Sequence, residues 1–390
     1  MVALLATHLA GMGAFLTVPV LAPPIAAETG LPLGLAGLHT ALVYAGALVS
    51  GPMTGPLIRR FGGVRVLQVG LLIMGGGIGL AALGSPAALA LSALVAGLGH
   101  GPVTPAGSHL IAARTPPRRR ALVFSLKQAG VPLGAMGVAA AAPAIAIGFG
   151  WRAGVLTMAA MGLVVALLLQ PLRAALDADR DTQARRTGPR AILTESASAL
   201  GQLRRDPALA RLTVMSSAYG VAQFCFSTFF VAFQVATLAT PLAEAGVRLA
   251  LAQAAGVAGR IIWALLADRF GALPILLICG IGVLAAAIAL ALAGPGWPGL
   301  LVVGAGLLMG ATAVGWNGVM LAEAARLAPP GQVGSTTSAL SFCFGATMLV
   351  APPAFSLLIG LTGGYAAGFW MCAAAVAIGV VAISFSLRRG

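Results

Sequence analysis

A chain of 390 residues that is 59% hydrophobic and 8% charged cannot hide its apolar surface by folding as an aqueous domain, and apolar runs of 20 or more residues recur almost end to end. A bilayer core of about 30 Å takes about 20 apolar residues per helix, so the composition describes a polytopic membrane protein and excludes the soluble classes. The net charge of +14 would suit nucleic acid if its arginines clustered on one face, but they alternate with apolar spans, which excludes that partner and leaves topology as the explanation.

Breaks of charge, Pro and Gly predict twelve helices. The first six run over 3–27, 35–57, 66–84, 87–112, 121–147 and 153–172, and the second six over 208–236, 245–266, 273–293, 299–323, 334–361 and 366–387. The first span lacks a basic leader, so it reads as uncleaved although "PIAAE" loosely resembles a cleavage site. The chain opens almost inside that span, and a short cytoplasmic tail is expected ahead of it.

Short cytoplasmic loops hold excess Lys and Arg. Of 23 basic residues, 19 fall on one side: Arg59, Arg60, Arg65, Arg114, Arg118 to Arg120, the eight between Arg173 and Arg211, Arg269, Arg326, Arg388 and Arg389. This places the protein in the inner (plasma) membrane with both termini cytoplasmic. Cys225, Cys279, Cys343 and Cys372 lie in apolar spans without paired spacing and read as small buried hydrophobes, giving neither disulfides nor a metal site. "GLGHGP" and "GFGWRAG" carry glycines of the kind found in nucleotide loops, but neither follows a strand in a βαβ unit, so no cofactor and no enzyme chemistry is expected.

The chain is written twice. "PLIRRFGGV" at 56–64 returns as "LLADRFGAL" at 265–273, "AARTPPRRR" at 112–120 as "AARLAPPGQV" at 324–333, and "GWRAG" at 150–154 as "GYAAG" at 364–368, at offsets of 209 to 214 residues. The expected organisation is an all-α membrane fold of two pseudo-symmetric six-helix bundles, 1–172 and 208–390, joined by a polar cytoplasmic linker, 173–207. Leu193, Leu200 and Leu203 share a helical face in that linker, which is expected to lie on the membrane surface as a tether.

These features resemble the major facilitator superfamily across essentially the whole chain. Its loop signature, G-x-L-x-D-R-x-G-R-R or K, sits between helices two and three with a degenerate copy between eight and nine, matching "GPLIRRFGGVR" at 55–65 and "ALLADRFGAL" at 264–273. The resemblance implies a monomeric secondary transporter whose halves rock around a central site, with helices 1, 4, 7 and 10 lining the cavity and helix 5 meeting 8, and 2 meeting 11.

Four basic residues escape the cytoplasmic loops. Arg152 and Arg248 fit periplasmic helix ends; Lys127 and Arg260 sit inside spans. Arg260 lies eight residues before Asp268, about 12 Å along a helix, and Lys127 seven after Arg120, about 10 Å. A cation at such depth is costly, faces the bundle interior, and marks a substrate or ion path. The alternatives are snorkelling for Lys127 and a gate pair with Asp268 for Arg260. Gln253, Gly256 and Arg260 share one helical stripe, as do Lys127, Gly130, Gly134 and Gly137.

The nine acids all lie in loops, in the linker or at helix ends: Glu28 and Glu244 on one side, five in the linker, Asp268 and Glu323 at cytoplasmic ends. Cations without buried anions suit an anionic substrate. "GRIIWALLADRFG" also resembles helix eight of monocarboxylate and oxalate/formate-type porters, whose arginine binds the carboxylate, and Arg260 takes that position. The lysine that oxalate exchangers carry on helix eleven is absent from "SALSFCFGA", so a monoanion is expected. Further candidates for substrate contact are His100 with Thr104 one turn on, Tyr219, Gln223, Trp316 and Asn317. Protons are a candidate coupling ion, through His8, His39, His100 or His109. Export of a drug or metabolite is the alternative to carriage of the anion.

The loop residues Arg59, Arg60, Asp268, Arg269, Glu323 and Arg326 are candidates for gating. In the family the loop acid faces the start of helix eleven, where a carboxylate suits the helix dipole. Here Arg59 stands in its place and "PPGQVGS" at 329–335 offers no compensating acid, which predicts a bias towards the inward-facing state; Asp268 keeps the second latch, with Arg118 to Arg120 and, locally, Glu323 and Arg326 as partners.

Overall fold

A computed structural model describes residues 2–114, 127–178, 180–181, 200–201, 203–329 and 332–387. The chain divides into two compact units, Met1–Ile192 and Leu193–Gly390, a division that falls within 173–207. Among the described residues eleven helices are long and apolar enough to cross a membrane, and a bent pair makes a twelfth.

In the first unit, α1 (Val2–Val20) and α2 (Ala22–Thr29) replace the single helix expected over 3–27, because Pro23 and Pro24 open a new helix and cannot continue the old hydrogen-bond ladder. The second span likewise divides into α3 (Leu35–Ser50) and α4 (Thr54–Phe61), bent by 57° at Gly51 and Pro52. Then come α5 (Gly63–Leu80), α6 (Pro86–His100), α7 (Val103–Arg114) after a break at Gly101 and Pro102, α8 (Gly130–Phe149) and α9 (Trp151–Leu168). Ser85 caps α6, accepting from the Ala88 amide at 3.2 Å.

Small residues set the spacing in this unit. α3, α5 and α6 pack together through Gly46, Gly97, Gly70 and Gly99; a methyl on Gly97 would collide with the Val43 carbonyl across the interface. α1 packs on α8 through Gly130 and Gly134, against Leu5, His8 and Leu9, so the glycine face of α8 is a helix contact. At one end, Glu28 accepts from Trp151 Nε1 at 2.7 Å and pairs with Arg152, whose Nε donates to the Ala82 carbonyl at 3.0 Å and whose guanidinium lies over the Trp151 ring. The Arg152 guanidinium first, and then the Trp151 indole, hold the Glu28 carboxyl below the ordinary value for glutamate.

The second unit contains α10 (Pro207–Leu238), α11 (Leu242–Phe270), α12 (Ala272–Leu292), α13 (Gly299–Met309), α14 (Asn317–Leu327), α15 (Val333–Thr362) and α16 (Ala366–Leu387). Asp206 caps α10 through the Ala208 and Leu209 amides, with Pro207 in the first turn. Here rings join the glycines in the core: Phe229 stacks on Phe355 at 4.3 Å, and Phe369 meets Phe233 and Phe355 edge to face, while Gly259 and Gly310 bring α11 against the segment that follows α13. Between α13 and α14 the expected helix 299–323 is interrupted by a π-helical turn, Gly310–Val314. Such a turn widens the helix and redirects carbonyls.

Candidate functional site

In the second unit the candidate residues gather around that π-helical turn. Arg260 Nε on α11 donates to the Val314 carbonyl at 3.1 Å. One turn on, Trp263 Nε1 donates to the Ala311 carbonyl at 2.7 Å. Two side chains of one helix thus satisfy carbonyls of the irregular turn in another, as buried backbone oxygens require. Asn317 Nδ2 lies 3.3 Å from the Val314 oxygen and 3.2 Å from Gln223 Oε1 on α10. Val314 O therefore joins Arg260, Asn317 and, through the amide, Gln223.

Gln253 sits apart from this junction, with its Nε2 on Ser227 Oγ at 3.3 Å. The stripe of Gln253, Gly256 and Arg260 faces α10 and the π turn, because Gly256 abuts Val314. Trp316 is fully enclosed, edge to face with Tyr219, and its Nε1 makes no hydrogen bond among the described residues. Tyr219 is enclosed as well, and its hydroxyl donates to the Leu276 carbonyl at 3.1 Å, anchoring α10 to α12.

In the first unit Lys127 is 0% exposed. Its Nζ donates to the Thr104 carbonyl at 3.1 Å and to Ser108 Oγ at 2.9 Å, both on α7, so it turns into the unit instead of snorkelling. His100 stands elsewhere: its ring packs 5.6 Å from Phe15, and its Nδ1 makes no hydrogen bond among the described residues. His39 Nε2 lies 3.4 Å from Ser92 Oγ across α3 and α6.

The repeated loops share a backbone. Gly62 has φ 90° and ψ 155°, and Gly271 has φ 88° and ψ 155°, a region essentially reserved for glycine, which explains the glycine in both copies of "RFG". Their surroundings differ. Beneath Gly62 lies Asp177, 1% exposed, accepting from the Val64 amide at 2.8 Å and the Arg65 amide at 3.0 Å, with Arg173 Nε 4.0 Å away. A methyl on Gly62 would collide with that carboxyl. The Asp181 amide then donates to the Arg59 carbonyl at 2.8 Å, so the chain after α9 folds back on the loop. Asp177, assigned from sequence to the linker, instead supplies the carboxylate at the start of α5. The available signal was negative: α5 follows "RFG" with no Ser, Thr, Asp or Asn to cap it.

Among the other gating candidates, Arg60 and Arg269 each lie over the ring that follows them, Phe61 and Phe270. Glu323, 4% exposed, takes both Arg326 Nε and a terminal nitrogen at 2.8 and 2.7 Å. Asp268 is exposed and forms no ion pair among the described residues, so Glu323 and Arg326 serve each other. Arg118 to Arg120 lie outside the described residues.

Such a fold, two units of long apolar helices with polar groups gathered around broken helices, defines a polytopic helical membrane protein. Residues 3–352 match the profile of the Major Facilitator Superfamily, and the chain belongs to that family. It is therefore a multi-pass membrane transporter and not an enzyme. A relative from Mycolicibacterium smegmatis (strain ATCC 700084 / mc(2)155), an MFS-type efflux pump, is 29% identical over 185 residues, which are 46% of this chain and 41% of that protein. Among solved structures, the peptide transporter POT in complex with sulfate aligns with a TM-score of 0.76 at 17% identity, covering 99% of this chain and 94% of that one. A bacterial homolog of the human lysosomal transporter Spinster, inward-facing and occupied, gives 0.75 at 17% identity, covering 98% and 94%. A mutant of the nucleoside transporter NupG gives 0.74 at 11%, covering 98% of each. At these identities the likeness is one of fold.

Proposed function

We propose that the chain moves a small organic anion, a monocarboxylate, across the inner membrane by alternating access, with Arg260 as the carboxylate anchor. The observation that carries this reading is the placing of Arg260 within a long apolar helix, its Nε on the Val314 carbonyl of the π-helical turn, an oxygen that Asn317 Nδ2 also reaches while bonding Gln223 Oε1. The acids of α11 itself, Glu244 and Asp268, stand near its two ends. A permanent positive charge carried inside an apolar helix favours an anion, and a guanidinium can bind a carboxylate through two parallel bonds. Trp316 Nε1 adds a donor beside Asn317. The bias of arginines to one side supports cytoplasmic termini.

A second reading, export of a drug or metabolite, is favoured by the name of the mycobacterial relative. Thermal shifts of the purified protein against small carboxylates and against cationic and neutral drugs separate the two, because a ligand that binds the folded state raises its stability. Stabilisation by monocarboxylates that disappears in Arg260→Ala is expected; stabilisation by cationic compounds alone would select the second reading.

A further inference from the structure

The two cations inside spans differ in chemistry: a guanidinium stays charged throughout the range in which proteins fold, whereas an ammonium can give up a proton when it is buried. Lys127 is the single lysine of the chain. Its Nζ is enclosed and rests on the Thr104 carbonyl and the Ser108 hydroxyl, both neutral.

Among the described residues, the groups of α1, α7 and α8 that bear on it are these. From α1 comes His8, whose Nδ1 lies 3.1 Å from the Leu4 carbonyl. A carbonyl only accepts, so Nδ1 carries the hydrogen and Nε2 is the basic nitrogen. α7 supplies Thr104 and Ser108, while its His109 turns towards Gly63 at the start of α5. α8 contains no ionisable side chain, and no Asp or Glu lies on α1, α7 or α8. Gly107 stands between the two bases: a methyl there would lie 3.5 Å from Lys127 Nζ and 3.6 Å from His8 Cε1. Lysine and histidine thus line one gap that glycine leaves open.

We infer that Lys127, with His8 beside it, is the proton-carrying site of this transporter. An Nζ–H bond breaks, the nitrogen keeps the electron pair, and the proton passes to His8 Nε2 or to a water in the gap at Gly107; a later proton restores the ammonium. The neutral amine donates weaker hydrogen bonds than the ammonium, so each proton changes how firmly Lys127 holds Thr104 and Ser108, and through them α7. The inference rests on the chain being a transporter and is independent of which substrate it moves.

A single lysine makes the test direct and free of substrate. In the full chain labelled with ¹³Cε-lysine, one side-chain resonance reports Lys127. That resonance is expected to shift with pH while the protein remains folded. His8→Gln is expected to move the midpoint by about tenfold in proton concentration, the change that alters a one-to-one equilibrium by about 1.4 kcal/mol. The protection of α7 amides, exchange taken relative to the intrinsic rate at each pH, should change severalfold across the same interval in the wild type and lose that dependence in Lys127→Arg, which keeps the charge but cannot release it. A resonance fixed at its charged position over the whole folded range, or α7 protection with the same pH response in Lys127→Arg as in wild type, overturns the inference.

Discussion

Lys127 and Arg260 occupy related settings in the two units, yet they are held differently. Lys127 stands three residues before α8, whose glycines press against α1, and reaches a peptide carbonyl and a hydroxyl of α7. Arg260 reaches a carbonyl in a π-helical turn, where Asn317 Nδ2 lies on the same oxygen and also on Gln223 Oε1. An ammonium can give up a proton when buried, whereas a guanidinium stays charged; the first lines a gap with His8 at Gly107, and the second shares its carbonyl with the Asn317 amide. On the proposed reading, two six-helix units would divide the work, proton carriage in one and anion capture in the other, through the choice of cation and of the groups that hold it.

The largest effect is expected at the permanent charge. Arg260→Ala should weaken monocarboxylate binding by about 2 kcal/mol or more, about 30-fold, as truncating one partner of a buried charged pair does; Arg260→Lys should recover only part of it, because the bidentate geometry is lost. Isothermal titration in detergent reads both, and equal affinity in a folded alanine variant would remove Arg260 from the site. Lys127→Arg should sharpen the comparison, leaving carboxylate binding within about threefold, below about 1 kcal/mol, while uptake into vesicles no longer responds to an imposed proton gradient. A gradient response as strong as wild type would make the two cations alike.

A smaller effect falls on stability. Asp177→Ala removes a buried carboxylate from two amides at the start of α5 and should cost about 1 to 3 kcal/mol, seen as a lower unfolding temperature in the same detergent. Asp268→Ala, at the repeat-related loop but exposed, should change it within about 0.5 kcal/mol. Equal losses at the two positions would show that the loops are not as different as their surroundings. The smallest effect concerns Glu28, whose carboxyl titrates lower when folded than when unfolded. Its contribution is then complete above the ordinary glutamate value and lost as pH falls through the folded one. The stability gap between wild type and Glu28→Gln should therefore narrow on acidification below about pH 4.5.

The fold was legible because its signals are long: apolar runs that need a bilayer, basic residues on one side, and segments recurring at a fixed offset. Lys127 and Arg260 were singled out as well, since charges inside apolar runs stand out in the sequence. Their partners were not. Backbone carbonyls carry no letter, so neither Val314 O nor Thr104 O could be read as a hydrogen-bond acceptor, and nothing in the sequence singled out Trp263, whose partner is the Ala311 carbonyl of the π turn. Asp177 was hidden because its contact spans 113 residues of chain to Val64. Pattern placed Tyr219 among the polar candidates, whereas packing directs its hydroxyl to α12.

The central claim, that a fixed arginine captures a small organic anion, is tested most directly by flux. Wild-type protein and Arg260→Ala, reconstituted at equal density in sealed vesicles, would be offered a panel of radiolabelled monocarboxylates with and without a proton gradient. Saturable, protein-dependent flux of at least one monocarboxylate is expected in the wild type, and its loss in Arg260→Ala despite an unchanged melting profile. Monocarboxylate flux of equal rate in the two proteins, or transport confined to neutral or cationic compounds, would contradict it.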